Sequence, residues 1–284
     1  MKRIWQLLSW AVFLALAVLP LLAGWGYAGA YSLGLTGLLS KGFTWGYWQA
    51  VLADPAFWRS LGFSVYVSVA SITLATGMAL AAVLAWRREL HRGWLSYAVY
   101  LPLTLPALVV GFAMFQLLAK GGLLSRISFH IGLTDSLVAF PDWVNDPYGI
   151  GIIVAHTWMA VPFFMLMFFN LFQSEGLALL GQVARSLGAA GRQVAWKVYV
   201  PVLLRRAYPL LVLYGLFVFG SYEAPLLLGA QSPQMISVLA IRKLQRFNLM
   251  EVPQAYAVSV FFVVVVIGFL VLMRRRGAAA SLKI

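Results

Sequence analysis

The chain has 284 residues, of which 62% are hydrophobic and only 10% charged. Soluble domains carry about a quarter charged residues, so this composition excludes an ordinary soluble protein and points to the membrane. There is no cysteine, which excludes disulfides, thiolate chemistry and cysteine-bound metals, and the net charge is +13.

Six segments are long and apolar enough to cross a bilayer as helices, each near the ~20 residues required. In chain order they are 5–27, 61–86, 95–119, 149–173, 205–229 and 254–273. The expected fold is an all-α integral membrane protein with six transmembrane helices, a single transmembrane domain over 1–284. An open sheet is excluded because lipid cannot satisfy unpaired backbone groups. The first span follows Met1-Lys2-Arg3, as a signal peptide would. Its apolar run is longer than a signal core, and no small-x-small cleavage site with a soluble domain behind it follows. It is expected to be a retained helix.

Charge sets the expected orientation. With both termini inside, the inner segments hold Lys2, Arg3, Arg87, Arg88, Arg92, Arg185, Arg192, Lys197, Arg205, Arg206, Arg274, Arg275, Arg276 and Lys283. The outer segments hold Lys41, Arg59, Lys120, Arg126, Arg242, Lys243 and Arg246, with the acids Asp54, Asp135, Asp142, Asp146 and Glu251. Basic residues in short loops favour the cytoplasmic side, so this topology accounts for the net charge without nucleic acid. The outer Trp45, Trp48, Trp58, Trp143 and Tyr148 suit the membrane–water interface.

Within the third span, Pro102 and Pro106 are four residues apart and share one face if the helix is continuous. Pro162 and Pro225 fall in the fourth and fifth spans. Each proline frees a carbonyl, which membrane helices tolerate where neighbours or water repair the backbone. Kinking for packing and lining a pathway both remain open. Glu223 is the only carboxylate expected inside a span, where an ionised group costs ~3 kcal/mol. It reads either as a structural pair or protonated acid, or as a gate or cation-facing group toward the outside. His156 falls in the same outer half, so a His156–Glu223 pair is one open arrangement. Gln116, Asn170 and Ser221 read as packing contacts between helices.

Between the fourth and fifth spans lies a basic loop, 174–204, containing "GQVARSLGAAGRQVAWKVYVP" from Gly181 to Pro201. Glu175 to Leu187 reads as an amphipathic helix with Leu179, Leu180, Val183 and Leu187 on one face. Gly188 and Gly191 bracket Ala189-Ala190 as turn residues, and Arg192 to Val200 reads as a second helix ended by Pro201. A basic helix–turn–helix invites a DNA-binding reading, but this one is tethered to spans at both ends. A hairpin lying on lipid is another reading. A third is a docking element: an apolar ridge joined rigidly to two spans turns a partner's movement into helix movement.

The loop resembles the cytoplasmic signature of binding-protein-dependent ABC importer permeases, which runs Glu-Ala-Ala, three residues, Gly, nine residues, then Ile-x-Leu-Pro. Here it reads Gln182-Val183-Ala184, three residues ending at Leu187, Gly188, nine residues beginning with Ala189 and including Gly191, then Val198-Tyr199-Val200-Pro201. The spacing is kept, and the departure is Gln182 in place of glutamate. Three more stretches, "LPLTLPALVVGFAMFQLL" from Leu101, "AHTWMAVPFFM" from Ala155 and "FGSYEAPLLLG" from Phe219, resemble helix blocks of molybdate, sulfate, iron and polyamine permeases. The resemblance covers about 60–273.

It implies a type I importer permease in the bacterial inner membrane, with docking through Gln182, Val183, Ala184, Leu187, Gly188, Ala189, Gly191 and Pro201. The implied partners are a cytoplasmic ATPase dimer, a second and non-identical permease subunit, and an external substrate-binding protein. ATP and magnesium would sit on the ATPase, and this chain would bind no cofactor. The implied substrate is a small solute such as a polyamine, iron, thiamine or an oxyanion. Pathway or gate candidates are Glu223, His156, Pro102, Pro106 and Pro225.

The sequence carries no Gly-x-x-x-x-Gly-Lys-Ser/Thr loop, so the chain is not expected to hydrolyse ATP itself. His91 and His130 fall on opposite sides of the expected topology and are not expected to form a metal site. A secondary transporter driven by an ion gradient would show internal repeats, and none is detected. An intramembrane enzyme would need paired aspartates, a Ser/His pair or a metal cluster in its spans.

Overall fold

The computed structural model describes residues 2–37, 40, 42–86, 89, 97 and 99–281. Among these residues the regular structure is entirely helical. The longer elements are α1 (Lys2–Phe13), α2 (Leu19–Ser32), α3 (Gly46–Ala53), α4 (Pro55–Trp86), α5 (Ala107–Leu118), α6 (Leu123–His130) and α7 (Ile150–Ser174). They continue with α8 (Leu177–Ser186), α9 (Gly191–Val194), α10 (Val200–Phe219), α11 (Glu223–Leu228), α12 (Ile236–Gln245) and α13 (Val252–Ser281).

Among the described residues, six stretches have the length and apolarity to cross a membrane: Leu8–Ser32, Pro55–Trp86, Ala107–His130, Ile150–Ser174, Gly191–Phe219 and Val252–Arg274. The expected number of spans is found, and three boundaries move. The second runs 32 residues, about 48 Å at 1.5 Å per residue, and so extends well beyond the hydrocarbon. The third was expected from residue 95. Residues 95, 96 and 98 lie outside the described residues, and the chain forms a 3₁₀ turn at Leu101–Thr104 before Leu105 and Pro106 adopt extended backbone. Pro102 and Pro106 therefore do not share one helix face. Pro102 sits in the 3₁₀ turn, and Pro106 precedes α5, where its missing N–H costs nothing. The fifth span begins at Gly191 and ends at Phe219, so Glu223 lies beyond it.

Pro201 does not end the second loop helix. Helical backbone runs from α9 through a π-helical turn, Ala195–Tyr199, directly into α10. In that turn Val200 N–H donates to Ala195 O, five residues back. The same device precedes Pro20, where a π turn at Leu14–Val18 ends with Leu19 N–H donating to Leu14 O. A proline ring crowds the carbonyl four residues before it, and the wider turn relieves that crowding without breaking the helix.

The chain divides into two compact units, Met1–Arg59 with Ile236–Ile284, and Ser60–Met235. In the first, the Tyr27, Tyr31 and Tyr256 rings bring α2 against α13, with the Tyr31 and Tyr256 centroids 4.5 Å apart. Phe57 is fully buried and meets Phe261 edge-on at 5.1 Å. The buried Lys243 of α12 donates to Gln254 Oε1 at 3.0 Å and pairs with Asp54 Oδ2 at 3.4 Å.

In the second unit, one apolar core runs from Ala75 and Ala79 of α4 through Phe164 and Phe168 of α7 to Leu203 and Ala207 of α10. Small residues let α4 and α10 approach closely: Ser68 Oγ donates to Gly215 O at 2.9 Å. The start of α7 is fixed by Asp146, whose buried carboxylate accepts from Tyr148 N–H and Ile150 N–H, both at 2.9 Å. Such a cap satisfies the first amides of a helix, which have no partner within it.

Candidate functional site: the loop between the fourth and fifth spans

The loop is built on the same core as the spans. Leu177 of α8, Val194 of α9 and Tyr199 belong to the cluster that contains Phe168 and Leu203. Tyr199 is the wedge. Its ring meets Phe172 of α7 edge-on at 5.0 Å, and it presses so closely on Gly181 of α8 that a side chain there would overlap it. Arg206 of α10 pairs with Glu175 at the end of α7, Nε to Oε1 at 2.9 Å, closing the base of the loop.

Among the described residues, the opposite face of α8 has no packing partner. Leu179, Leu180 and Val183 are exposed, and Leu187 just beyond the helix is 84% exposed, as is Trp196 to a lesser degree. This is the ridge expected from the 3.6-residue period, and it points away from the core. Gln182 is exposed beside it, while Ala184 and Ala189 are half-buried.

Gly188 ends α8 in a left-handed conformation, φ +87°. Gly188 N–H donates to Arg185 O at 2.9 Å and Ala189 N–H to Ala184 O at 3.0 Å. This pair of bonds is the Schellman motif, which satisfies the last carbonyls of a helix and favours glycine. A Cβ at Gly188 would meet nothing within 4 Å in the chain, so backbone conformation is what selects glycine there. Gly191 opens α9 rather than serving as a second stop, and Gln193 Oε1 accepts from Ala190 N–H at 3.0 Å just before it. Pro201 is exposed in the first turn of α10.

A second feature lies where α10 gives way to α11. The helix stops at Gly220, residues 220–222 are non-helical, and Glu223 opens a short helix. Pro225 is the physical cause. It has no N–H to offer Ser221 O, and it sits in the first turn of α11, where that loss is tolerated. Glu223 is exposed at that first turn rather than enclosed within a continuous span. His156 does not pair with it. His156 is 1% exposed, and its Nε2 lies 2.9 Å from Ser221 Oγ. Ser221, read in sequence as a packing contact between helices, bonds to His156 of α7, and that partner was not foreseen. The Ser221–His156 pair lacks the orienting third group of a nucleophilic dyad, because His156 Nδ1 has no hydrogen-bond partner among the described residues. Of the four prolines read in the spans, the pathway candidates Pro102, Pro106 and Pro225 all lie at helix starts or turns, and only Pro162 is interior to a long helix, buried within α7. His91 lies outside the described residues.

An all-helical chain with six spans and a rigid loop carrying an unpartnered apolar ridge has the fold of an ABC importer permease. A chain of a bacterial alginate ABC transporter superposes with a TM-score of 0.68 over 97% of this chain and 96% of that one, at 19% identity. A second alginate transporter structure, solved in complex with an alginate pentasaccharide-bound periplasmic protein, gives 0.67 over 95% and 93% at 17% identity.

By sequence, the chain is similar to ABC permease subunits. It is 28% identical to the thiamine transport system permease protein of Haemophilus influenzae over 64% of this chain and 33% of that one. It is 26% identical to the molybdenum transport system permease protein of Azotobacter vinelandii over 67% of this chain and 81% of that one. It is 27% identical to the maltose/maltodextrin transport system permease protein of Escherichia coli K12 over 70% of this chain and 40% of that one. The chain thus spans only about a third of the thiamine permease it matches. No protein-family model matches it.

Proposed function

We propose that this chain is a permease subunit of an ATP-driven importer. It forms the substrate pathway with a second, non-identical permease subunit in the bacterial inner membrane, both of its termini cytoplasmic. A cytoplasmic ATPase dimer docks on the loop 174–204, and an external binding protein delivers the solute. ATP and magnesium belong to the ATPase, and this chain supplies shape and motion. The relatives are named for thiamine, molybdenum and maltose/maltodextrin, chemically unlike solutes, which favours specificity residing in the delivering protein.

One observation carries the reading. The face of α8 bearing Leu179, Leu180, Val183 and Leu187 is bare, while its other face is locked through Leu177, Gly181 and Tyr199 into the core of the spans. Such a ridge transmits force, because packed interiors move as rigid pieces rather than yielding locally. The ATPases close on ATP, the loops are drawn together, and the helices carrying them reorient.

On the same reading the break at Gly220–Tyr222 lies on the pathway. Non-helical backbone at membrane depth is tolerated where it is buried in protein or lines a cavity. Glu223, His156 and Pro225 bear on that pathway, with Glu223 as its exposed polar group.

The absence of native cysteine supplies a clean test. Leu187→Cys should cross-link to the nucleotide-binding subunit in native membranes, and Ser174→Cys, outside the ridge, should not. Equal cross-linking from both positions, or none from Leu187→Cys, removes the docking reading.

A further inference from the structure

The short helix α11 has six residues and cannot hold itself together, since helices under about a dozen residues are marginal even in favourable sequences. It is held by its surroundings. Ala224 lies against Gly111 of α5, where an added Cβ would come within 3.3 Å of the Ala224 Cα. Leu228 lies against Gly151 of α7, 3.6 Å from an added Cβ. At the C-terminal end, Asn145 N–H donates to Leu228 O at 2.8 Å. At the N-terminal end, the non-helical Gly220–Tyr222 is tied through the Ser221 hydroxyl to His156 Nε2 at 2.9 Å. Backbone bonds act at both ends, Ser221 N–H donating to Val218 O at 3.1 Å and Leu226 N–H to Tyr222 O at 2.9 Å, and the Ser221 hydroxyl also contacts Met235 Sδ at 4.0 Å. The Ser221–His156 bond is the tie that reaches across to α7, between residues 65 apart in sequence.

From this geometry we infer that His156 is a positioning residue: through Ser221 it latches α11 into its slot, and without that latch the break at Gly220–Tyr222 opens to water. The inference deepens the reading of this break as part of the pathway. Each component is suited to the task. His156 is rigid because it is buried within α7, two turns past the Asp146 cap. The imidazole offers a donor or an acceptor to the hydroxyl, which is itself both, so the bond forms in either neutral tautomer. The backbone bonds at both ends survive a change of side chain, so the Ser221–His156 bond is the tie that substitution can remove.

The test needs neither the substrate nor the ATPase, so its failure is distinct from failure of the permease reading. Tyr222→Cys places the sole thiol of these 284 residues at the break, and its reaction with N-ethylmaleimide in native membranes reports water access. A second thiol at Ser186→Cys, in the loop, serves as the control. With a latch worth one ordinary buried hydrogen bond, His156→Ala and Ser221→Ala should each raise the Tyr222→Cys rate about fivefold or more. The double variant should match Ser221→Ala, because both single variants remove the Ser221–His156 bond and only Ser221→Ala also removes the contact with Met235 Sδ. His156→Gln, which keeps a donor and an acceptor, should restore the slow rate. A smaller rise in both single variants overturns the inference. So does an equal rise at Ser186→Cys, which would mean general loosening of the fold.

Discussion

A side chain at Gly188 meets nothing, whereas one at Gly181 meets the Tyr199 ring. The first glycine is there for its φ of +87°, the second for the space it leaves. Gly188→Ala should cost ~1 kcal/mol, the ordinary price of a left-handed residue, and Gly188→Asn less, because its short polar side chain suits that region. Gly181→Ala should cost more, ~1–3 kcal/mol, because Tyr199 is packed on both sides and cannot yield freely. Combining Gly181→Ala with Tyr199→Leu should recover part of that loss. Thermal unfolding of the four variants in detergent gives the order. A milder Gly181→Ala than Gly188→Ala would contradict the wedge. The signature spacing made Gly188 and the ridge legible in sequence. Gly181 was not, because a ring approaching from eighteen residues away leaves no local pattern. The partner of Ser221 was hidden likewise, because His156 lies on another helix 65 residues away.

At the scale of elements, hydrophobic length located six spans but not their interruptions. Proline marks a disturbance without stating its form. Pro201 is absorbed by a π turn, Pro225 starts a new helix, Pro106 precedes one and Pro162 sits inside one. Which outcome follows depends on whether packing can use the freed carbonyl, and that is a tertiary property. The break before Pro225 changes what Glu223 means. At the first turn of α11 a carboxylate is favoured by ~0.3–1 kcal/mol, rather than penalised as it would be within hydrocarbon. Glu223→Gln should therefore leave thermal stability within about 1 kcal/mol of the parent while altering the transport rate. Unchanged uptake of the cognate solute in both Glu223→Gln and Glu223→Leu would take Glu223 off the pathway.

At the scale of the molecule, the charge pattern predicts the topology. Reporter fusions after Leu204 and Ile284 should show cytoplasmic activity, and fusions after Ala53, Asp142 and Pro233 external activity. A cytoplasmic signal at Asp142 would break the six-span order. The class of protein was legible because one loop keeps the full spacing of the permease signature. The substrate was not, because the shared helices serve relatives named for chemically different solutes.

The central claim is that the loop 174–204 is the mechanical coupling to a nucleotide-hydrolysing partner, and co-purification of that partner with Gly188→Asp tests it most directly. The exposed position of Gly188, beside Leu187 and Gln182, leaves room for the variant in the isolated chain, so membrane insertion should be retained. An unpaired charge buried under the partner costs several kcal/mol, enough to weaken docking by orders of magnitude at ~1.4 kcal/mol per decade. The account predicts that Gly188→Asp reaches the membrane at parental levels without retaining the ATPase, while Gln182→Glu retains it. An intact complex with Gly188→Asp, at the parental ratio of subunits, would contradict it.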